Sequence, residues 1–485
     1  MDPTTADVVK TLADTQTALN IVWTMVAGFL VMFMQAGFAL VETGLTRAKN
    51  VAHTMGMNFF VYAVGILGFY FVGFGLQMGS MGPMATFGGD ASLSAAPLAV
   101  NLFGHTWNLA GTSGFMLPLH LFTPAVAAMF LFQMVFMDTT CTIPTGALAE
   151  RWKFTSFVLL TIVISTIIYP LYANWVWGGG WLSQLGTNLG LGHGHVDFAG
   201  SSVVHMTGGV MALTLSKILG PRVGKYGPDG RVNPIPAHNI PQVMVGTFIL
   251  AFGWFGFNAG STLAGTDTRL AIVATNTMLA SATGAFGAYL YVKARFGKPD
   301  PTWLANGMLA GLVAITAPCA FVSSWAAMLI GLVAGVLVVV AAMFVDSKLR
   351  IDDPVGAIAV HGVNGAWGIL SVGLFANGTY GQGLNGVAYG VTGLLYGDAG
   401  QLVASIIGIA VNVLWVAPLA ALAFVVIGKL VGNRASVEDE MLGLDIPEMG
   451  VVGYAPDASP QHGMTPKVPS DPAPLGAPSL ARERA

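Results

Sequence analysis

The sequence predicts an all-α, polytopic membrane protein of eleven transmembrane helices, with the N-terminus outside and the C-terminus inside. Three observations carry this. The 485-residue chain is 54% hydrophobic and only 9% charged, against about 25% charged in soluble domains. Eleven apolar runs each approach the ~20 residues that a membrane span requires. The basic residues fall almost entirely on one side of those runs. The 63 glycines agree, because glycine is frequent in packed membrane helices.

The spans are expected at about 19–42, 52–78, 115–140, 154–176, 198–219, 241–261, 270–293, 303–321, 323–345, 354–375 and 399–428. The segment before them carries Asp2, Asp7, Lys10 and Asp14. It lacks a basic stretch leading into an apolar run and a small-residue cleavage site, so the first run is expected to stay as a membrane helix. With the N-terminus outside, the inner segments hold Arg47 and Lys49, Arg151 and Lys153, and Lys217, Arg222, Lys225 and Arg231. Further along they hold Lys293, Arg295, Lys298, Lys348, Arg350 and the basic residues of the tail. Only Lys10 and Arg269 lie outside, so 18 of the 20 Lys and Arg obey the positive-inside rule.

The domain organisation follows: an outer N-terminal segment 1–18, a membrane domain 19–428, a patterned cytoplasmic tail 429–454 and a tail 455–485. The last is rich in Pro, Ala and Ser and is expected to be disordered. The stretches 79–114, 178–196 and 376–398 read as long outer loops. A net charge of −3 gives no reason to expect nucleic acid. Cys141 and Cys319 are too few and too far apart for a disulfide framework or a metal cluster, and read as small buried hydrophobes.

Two stretches share one spacing. Asp197-Phe-Ala-Gly-Ser-Ser-Val-Val-His205 opens the fifth span from outside, and Asp353-Pro-Val-Gly-Ala-Ile-Ala-Val-His361 opens the tenth from inside. The same pattern entering from opposite faces, five helices apart, is the signature of an inverted repeat of spans 1–5 and 6–10. Eight helical residues rise about 12 Å, close to half of a ~30 Å hydrocarbon core. His205 and His361 are therefore expected to meet near the midplane. Ionisable groups inside a membrane are costly and mark functional sites by default. A metal or haem reading finds no further ligand at suitable spacing. Each Asp precedes a helix, where a carboxylate caps free backbone N–H groups.

Aromatic and hydroxyl residues gather near the outer side. Phe132 and Phe136 lie one helical turn apart, with Gln133 between them. Trp175 and Trp177 end the fourth span, and the sixth carries Gly253-Trp-Phe-Gly-Phe257-Asn-Ala-Gly-Ser261. Taken singly, each aromatic fits a membrane-interface belt or core packing. Together they suit a small cation that donates hydrogen bonds, since rings attract cations and a Ser oxygen accepts.

These motifs closely resemble the ammonium transporter (Amt) branch of the Amt/Mep/Rh family. The match covers about residues 20–454 and includes Val41-Glu42-Thr43-Gly44, Gly146-Ala-Leu-Ala-Glu150-Arg151 and Val360-His361-Gly362. The resemblance implies a homotrimer in the cell (plasma or inner) membrane, each subunit with its own narrow apolar pore and no cofactor. It implies an outer ammonium site of Phe136, Trp177 and Ser261, flanked by Phe132 and Gln133 and supported by Asp197. It further implies a gate of stacked Phe136 and Phe257, and a twin-histidine pair of His205 and His361. The sequence departs at two places. Gly356 stands where the family often has a second acid, and Met449 replaces the histidine of the tail pattern around Gly443, Asp445, Gly450 and Tyr454. Family tails dock on the neighbouring subunit, so Met449 bears on coupling between pores and on any PII-type signalling partner.

The expected activity is ammonium transport, with methylammonium as an analogue. Ammonium is recruited, deprotonated and passed as NH3, while its proton follows the histidines. The competing readings are an electroneutral ammonia channel of the Rh type and an ammonium sensor with little flux. An enzyme is not expected, because no nucleophile, metal or cofactor motif accompanies the histidines.

Overall fold

The computed structural model describes residues 5–454; the expected disorder of 455–485 lies outside the described residues. Among the described residues, ten helices are long and apolar enough to cross a membrane. They are α1 Thr5–Leu45, α2 Ala48–Met78, α3 Pro124–Leu148, α4 Phe154–Trp177, α5 Ser201–Leu219, α6 Ile240–Thr262, α7 Leu270–Phe296, α9 Ser324–Leu349, α10 Ile358–Phe375 and α11 Ala399–Val431. Between α7 and α9 lies α8, Pro301–Ile315, an apolar helix of 15 residues. At about 1.5 Å per residue it reaches only ~22 Å. Its length fits its surroundings: its second half, from Leu309 to Ile315, is wholly buried by protein. It need not match a lipid thickness by itself.

Local sequence explains the helix starts. Thr123 caps α3, its Oγ1 accepting from Val126 N at 3.2 Å, and Pro124 follows at a position that needs no N–H. Asn239 and Pro241 open α6 in the same way, as do Asp300 and Pro301 for α8. Asp398 caps α11.

Several boundaries differ from the sequence reading. The first helix begins at Thr5 rather than near 19. The third runs 124–148 rather than 115–140. It continues through the polar run Thr139-Thr140-Cys141-Thr142, where the hydroxyls of Thr139 and Thr140 bond back to Val135 O and Phe136 O. The helix satisfies those groups internally and continues through Pro144. The loop expected at 79–114 contains a hairpin, β1 Leu98–Leu102 antiparallel to β2 His105–Ala110.

The helices pack through small residues, which let backbones approach closely. A Cβ on Gly37 of α1 would lie 3.0 Å from Gly246 O of α6. One on Gly284 of α7 would lie 2.4 Å from Gly307 O of α8.

One end of the bundle is closed by a buried ionic cluster and the tail. Arg222 bonds Glu150 at 2.6 Å and Asp352 at 2.8 Å, and Arg47 pairs with the same Glu150. Burial alone would raise the Asp352 carboxyl, but the hydrogen bonds and charge of Arg222 hold it well below the usual carboxylate range. Two short helices, α12 Val437–Leu442 and α13 Asp445–Met449, dock here. Asp445 accepts from His53 N at 2.9 Å and from Gly453 N at 3.1 Å. Leu444 N donates to Asn50 at 2.9 Å. Glu440 accepts from Arg434 at 2.7 Å. Within this chain, then, the tail packs on the start of α2, and Met449 lies against Gly56.

Candidate functional site

The site grows from two helix starts built alike. Asp197 Oδ1 accepts from Gly200 N at 2.8 Å and Ser201 N at 2.9 Å. Its Oδ2 accepts from Ser202 N, Ser202 Oγ and Val203 N at 2.7, 2.7 and 3.0 Å. Asp353 accepts from Gly356 N at 2.9 Å and Ile358 N at 2.7 Å. In each, the glycine three residues after the acid turns the chain with φ of +118° (Gly200) or +81° (Gly356). Side chains are strained there, so the backbone itself accounts for Gly356. Both helices then begin with a widened π turn, Ser201–Met206 and Ile358–Val363, and each turn carries its histidine. π turns are rare and recur at functional sites.

The two turns bring the histidines together. His205 Nδ1 lies 3.1 Å from His361 Nδ1, so one Nδ1–H donates to the other Nδ1. Below them α5 and α10 cross with almost no gap: a Cβ on Gly209 would lie 2.1 Å from Gly362 N. The His205 ring stacks on Trp254 and Phe257 with centroids at 5.2 and 5.3 Å. The Trp254 indole is held by an Nε1–H donated to Thr316 Oγ1 at 2.9 Å. His205 Nε2 is buried and finds no hydrogen-bond partner among the described residues. The pair thus sits in an almost wholly apolar cage.

Above the histidines, Phe136 and Phe257 stack at 4.2 Å with ring planes 27° apart. Beyond this pair opens a vestibule of about 600 Å³ at the end of the molecule opposite the tail cluster. It is lined by Phe132, Gln133, Phe136, Trp177, Asp197 and Ser261, among others. Phe132 lies 4.6 Å from Phe136, and Trp177 meets Phe136 edge-on at 6.0 Å. Trp177 Nε1 donates to Asp197 O at 2.6 Å, which fixes the indole plane. Gln133 Oε1 accepts from Gln77 Nε2 at 2.7 Å. Ser261 Oγ donates to Phe257 O at 2.8 Å, which leaves its lone pairs to accept from a guest.

All six vestibule residues singled out from sequence therefore share one cavity, and Phe257, His205 and His361 lie in line beneath it. Asp197 differs from the rest, because five donors already occupy its carboxylate. We expect Asp197→Asn to destabilise the protein by about 1–3 kcal/mol, since an amide cannot accept on its NH2 side and buried N–H groups lose their partner. Thermal unfolding in detergent measures this, and an unchanged transition would remove the capping role.

Sequence reasoning passed over several lining groups. His195 is buried beside Asp197, its Nε2 2.9 Å from Ser202 Oγ. Burial pushes its imidazole down to about 4 against the attraction of Asp197, so it is neutral at pH 7. Arg269 reaches the vestibule but is tied to Asp267 at 3.1 Å and lies over the Tyr380 ring, 3.4 Å from its centroid. Nothing local marked these groups, because they come from loops that only the fold brings together. Asp138 does not line the vestibule, yet it is an acid within a membrane helix, a signal that sequence does carry. It is 4% exposed, with Oδ1 unpartnered among the described residues.

Comparison with known proteins places the chain in a family. The profile of the Ammonium Transporter Family matches residues 22–454. The chain is 44% identical to ammonium transporter Amt2 of Archaeoglobus fulgidus over 456 residues, covering 93% of this chain and 91% of that one. It is 37% identical to ammonium transporter Amt1 of Haloferax mediterranei, covering 93% and 83%. Among solved structures, a sensor Amt protein superposes with a TM-score of 0.77 at 35% identity, covering 90% of this chain and 99% of that one. Mep2 of Saccharomyces cerevisiae superposes with a TM-score of 0.72 at 27% identity, covering 88% and 89%. The match along nearly the whole helical bundle shows that this polytopic helical membrane protein belongs to the Ammonium Transporter Family.

Proposed function

We propose that the protein transports ammonium across the cell membrane by separating it into NH3 and a proton. The carrying observation is the order of groups along one line: an aromatic vestibule with a free Ser261 acceptor, the Phe136–Phe257 stack, then a dry histidine pair. In this reading the vestibule faces outside and the tail cluster faces the cytoplasm. The short helix α8 completes eleven spans, with 1–5 and 6–10 an inverted pair. Three subunits assemble, each with its own pore.

The physics favours splitting the ion. Rings and Ser261 attract a cation that donates hydrogen bonds. Potassium has similar size and charge but donates none and has no proton to lose. Beyond the Phe stack an unpaired ion would lose several kcal/mol of solvation. Neutral NH3 escapes most of that penalty. The proton can travel separately, since a neutral imidazole accepts at one nitrogen and donates at the other. The net result is an inward charge movement.

Ammonium and methylammonium pulses on proteoliposomes are expected to give inward currents that potassium neither produces nor blocks. Ammonium uptake without current would favour the electroneutral reading. Binding without flux would favour a sensor, the reading supported by the likeness to the sensor Amt structure. For the recruitment site, Trp177→Leu or Ser261→Ala should raise the half-saturating ammonium concentration several-fold, because about 0.5–2 kcal/mol of cation–π or hydrogen-bond energy is lost. An unchanged concentration dependence in both variants would argue against this site.

A further inference from the structure

On the tail side of the histidines lies a second, small cavity of about 20 Å³, lined among others by Phe38, Glu42, Asn306, Val355 and His361. That volume is enough for one water, which needs about 10–15 Å³. Asn306 and Val355 also line a larger inner cavity of about 180 Å³, which reaches Asp346 and Asp353. The two cavities share Asn306 and Val355 as lining, and three acids, Glu42, Asp346 and Asp353, stand along them on the tail side of His361.

Two of the three are already committed. Asp353 is occupied by the backbone N–H groups of Val355, Gly356 and Ile358. Asp346 pairs with Lys225 at 2.9 Å and accepts from the Tyr226 hydroxyl at 2.9 Å. Glu42 differs. It is 3% exposed, and among the described residues no Lys, Arg or His nitrogen forms an ion pair with it. Its partners are neutral: Asn58 Nδ2 donates to Oε2 at 2.6 Å, and Thr145 Oγ1 lies 2.7 Å from the same oxygen. Asn58 is in turn oriented by Thr142, whose hydroxyl donates to Asn58 Oδ1 at 2.8 Å. Gly146 makes the room, since a Cβ there would lie 2.9 Å from Glu42 Cδ. A buried acid without a counter-ion, held in place by neutral donors, can exist with or without its proton.

We infer that Glu42 is the inner proton acceptor of the pore, receiving across one water the proton that leaves His361 and giving it to NH3 as it emerges. The step balances. The proton leaves a His361 ring nitrogen, which becomes neutral, and binds a Glu42 carboxylate oxygen. NH3 then takes that proton, forming NH4+ and restoring the carboxylate. The inference rests on the proposed proton relay through the histidines.

The test uses the full chain in proteoliposomes, with Glu42→Gln, Glu42→Asp and the double variant His205→Ala/His361→Ala run side by side. Two signals are recorded: ammonium-driven current, and alkalinisation of the lumen as NH3 enters, relative to protein-free liposomes. Glu42→Gln should lower the current at least tenfold while NH3 entry persists, and Glu42→Asp should restore part of the current. A Glu42→Gln current within about twofold of the unmodified protein, with the double-histidine variant silent, would overturn the Glu42 role and leave the relay standing. Loss of both signals in Glu42→Gln without rescue by Glu42→Asp would also overturn it, because the side chain would then be holding the pore's shape. Full current in the double-histidine variant would fell the relay, and the Glu42 role with it.

Discussion

Replacing His205 and His361 together by alanine is expected to abolish the ammonium current completely. The argument rests on what surrounds the pair. Phe257, Trp254 and Phe136 supply ring faces, and the two imidazoles are joined to each other by the 3.1 Å link between their Nδ1 atoms. Alanine at both positions leaves a wider but wholly apolar passage. NH3 can still cross it, whereas a proton without an acceptor would face the solvation penalty of a bare ion, several kcal/mol or more. The measurement is the proteoliposome current at saturating ammonium. A residual, potassium-insensitive current equal to that of the unmodified protein would defeat the relay. Either single replacement should also silence the current, because each ring supplies half of the link.

Gly209→Ala is expected to be strongly damaging, because it strikes backbone at the helix crossing that carries both histidines. The new Cβ would sit 2.1 Å from Gly362 N and 2.3 Å from Gly362 Cα, and both are backbone atoms that cannot rotate away. Either α5 and α10 separate, moving both histidines, or the protein fails to assemble. Overpacking of this kind costs about 1–3 kcal/mol and sometimes more. The reciprocal Gly362→Ala makes an internal control. Its Cβ would meet Gly209 at 3.3–3.5 Å, close to ordinary contact. Thermal unfolding in detergent should therefore show a large downward shift for Gly209→Ala and a small one for Gly362→Ala. Equal shifts would mean that the two helices do not cross at this point.

Some of this arrangement is legible without coordinates. The spacing from Asp197 to His205 and from Asp353 to His361 is a local property, and so is the helix start that each acid caps. Those features depend on backbone geometry over a few residues, which sequence encodes directly. Phe132, Phe136, Trp177 and Ser261 lie in stretches that resemble the family, so their sharing one vestibule could be anticipated. The helix ends were less legible. The third span was expected at 115–140, whereas α3 runs 124–148, because its threonines satisfy their hydroxyls within the helix. The hairpin at 98–110 falls within the loop expected at 79–114, because its two strands of five and six residues are short.

Hydropathy and charge distribution, being sums over the chain, determined from sequence alone that this is a polytopic helical membrane protein and where most of its helices lie. Motif spacing placed the two histidines each eight residues beyond a capping acid. The inverted repeat anticipated that the histidines meet; the tertiary structure alone decided how closely and against what else they pack. It brought their Nδ1 atoms to 3.1 Å, set Gly209 against Gly362, and gave His361 and Glu42 a common cavity. The physical reason is that these contacts join residues more than a hundred positions apart. They form only where glycine pairs let whole helices approach to backbone distance, and no local pattern records which two helices will do so.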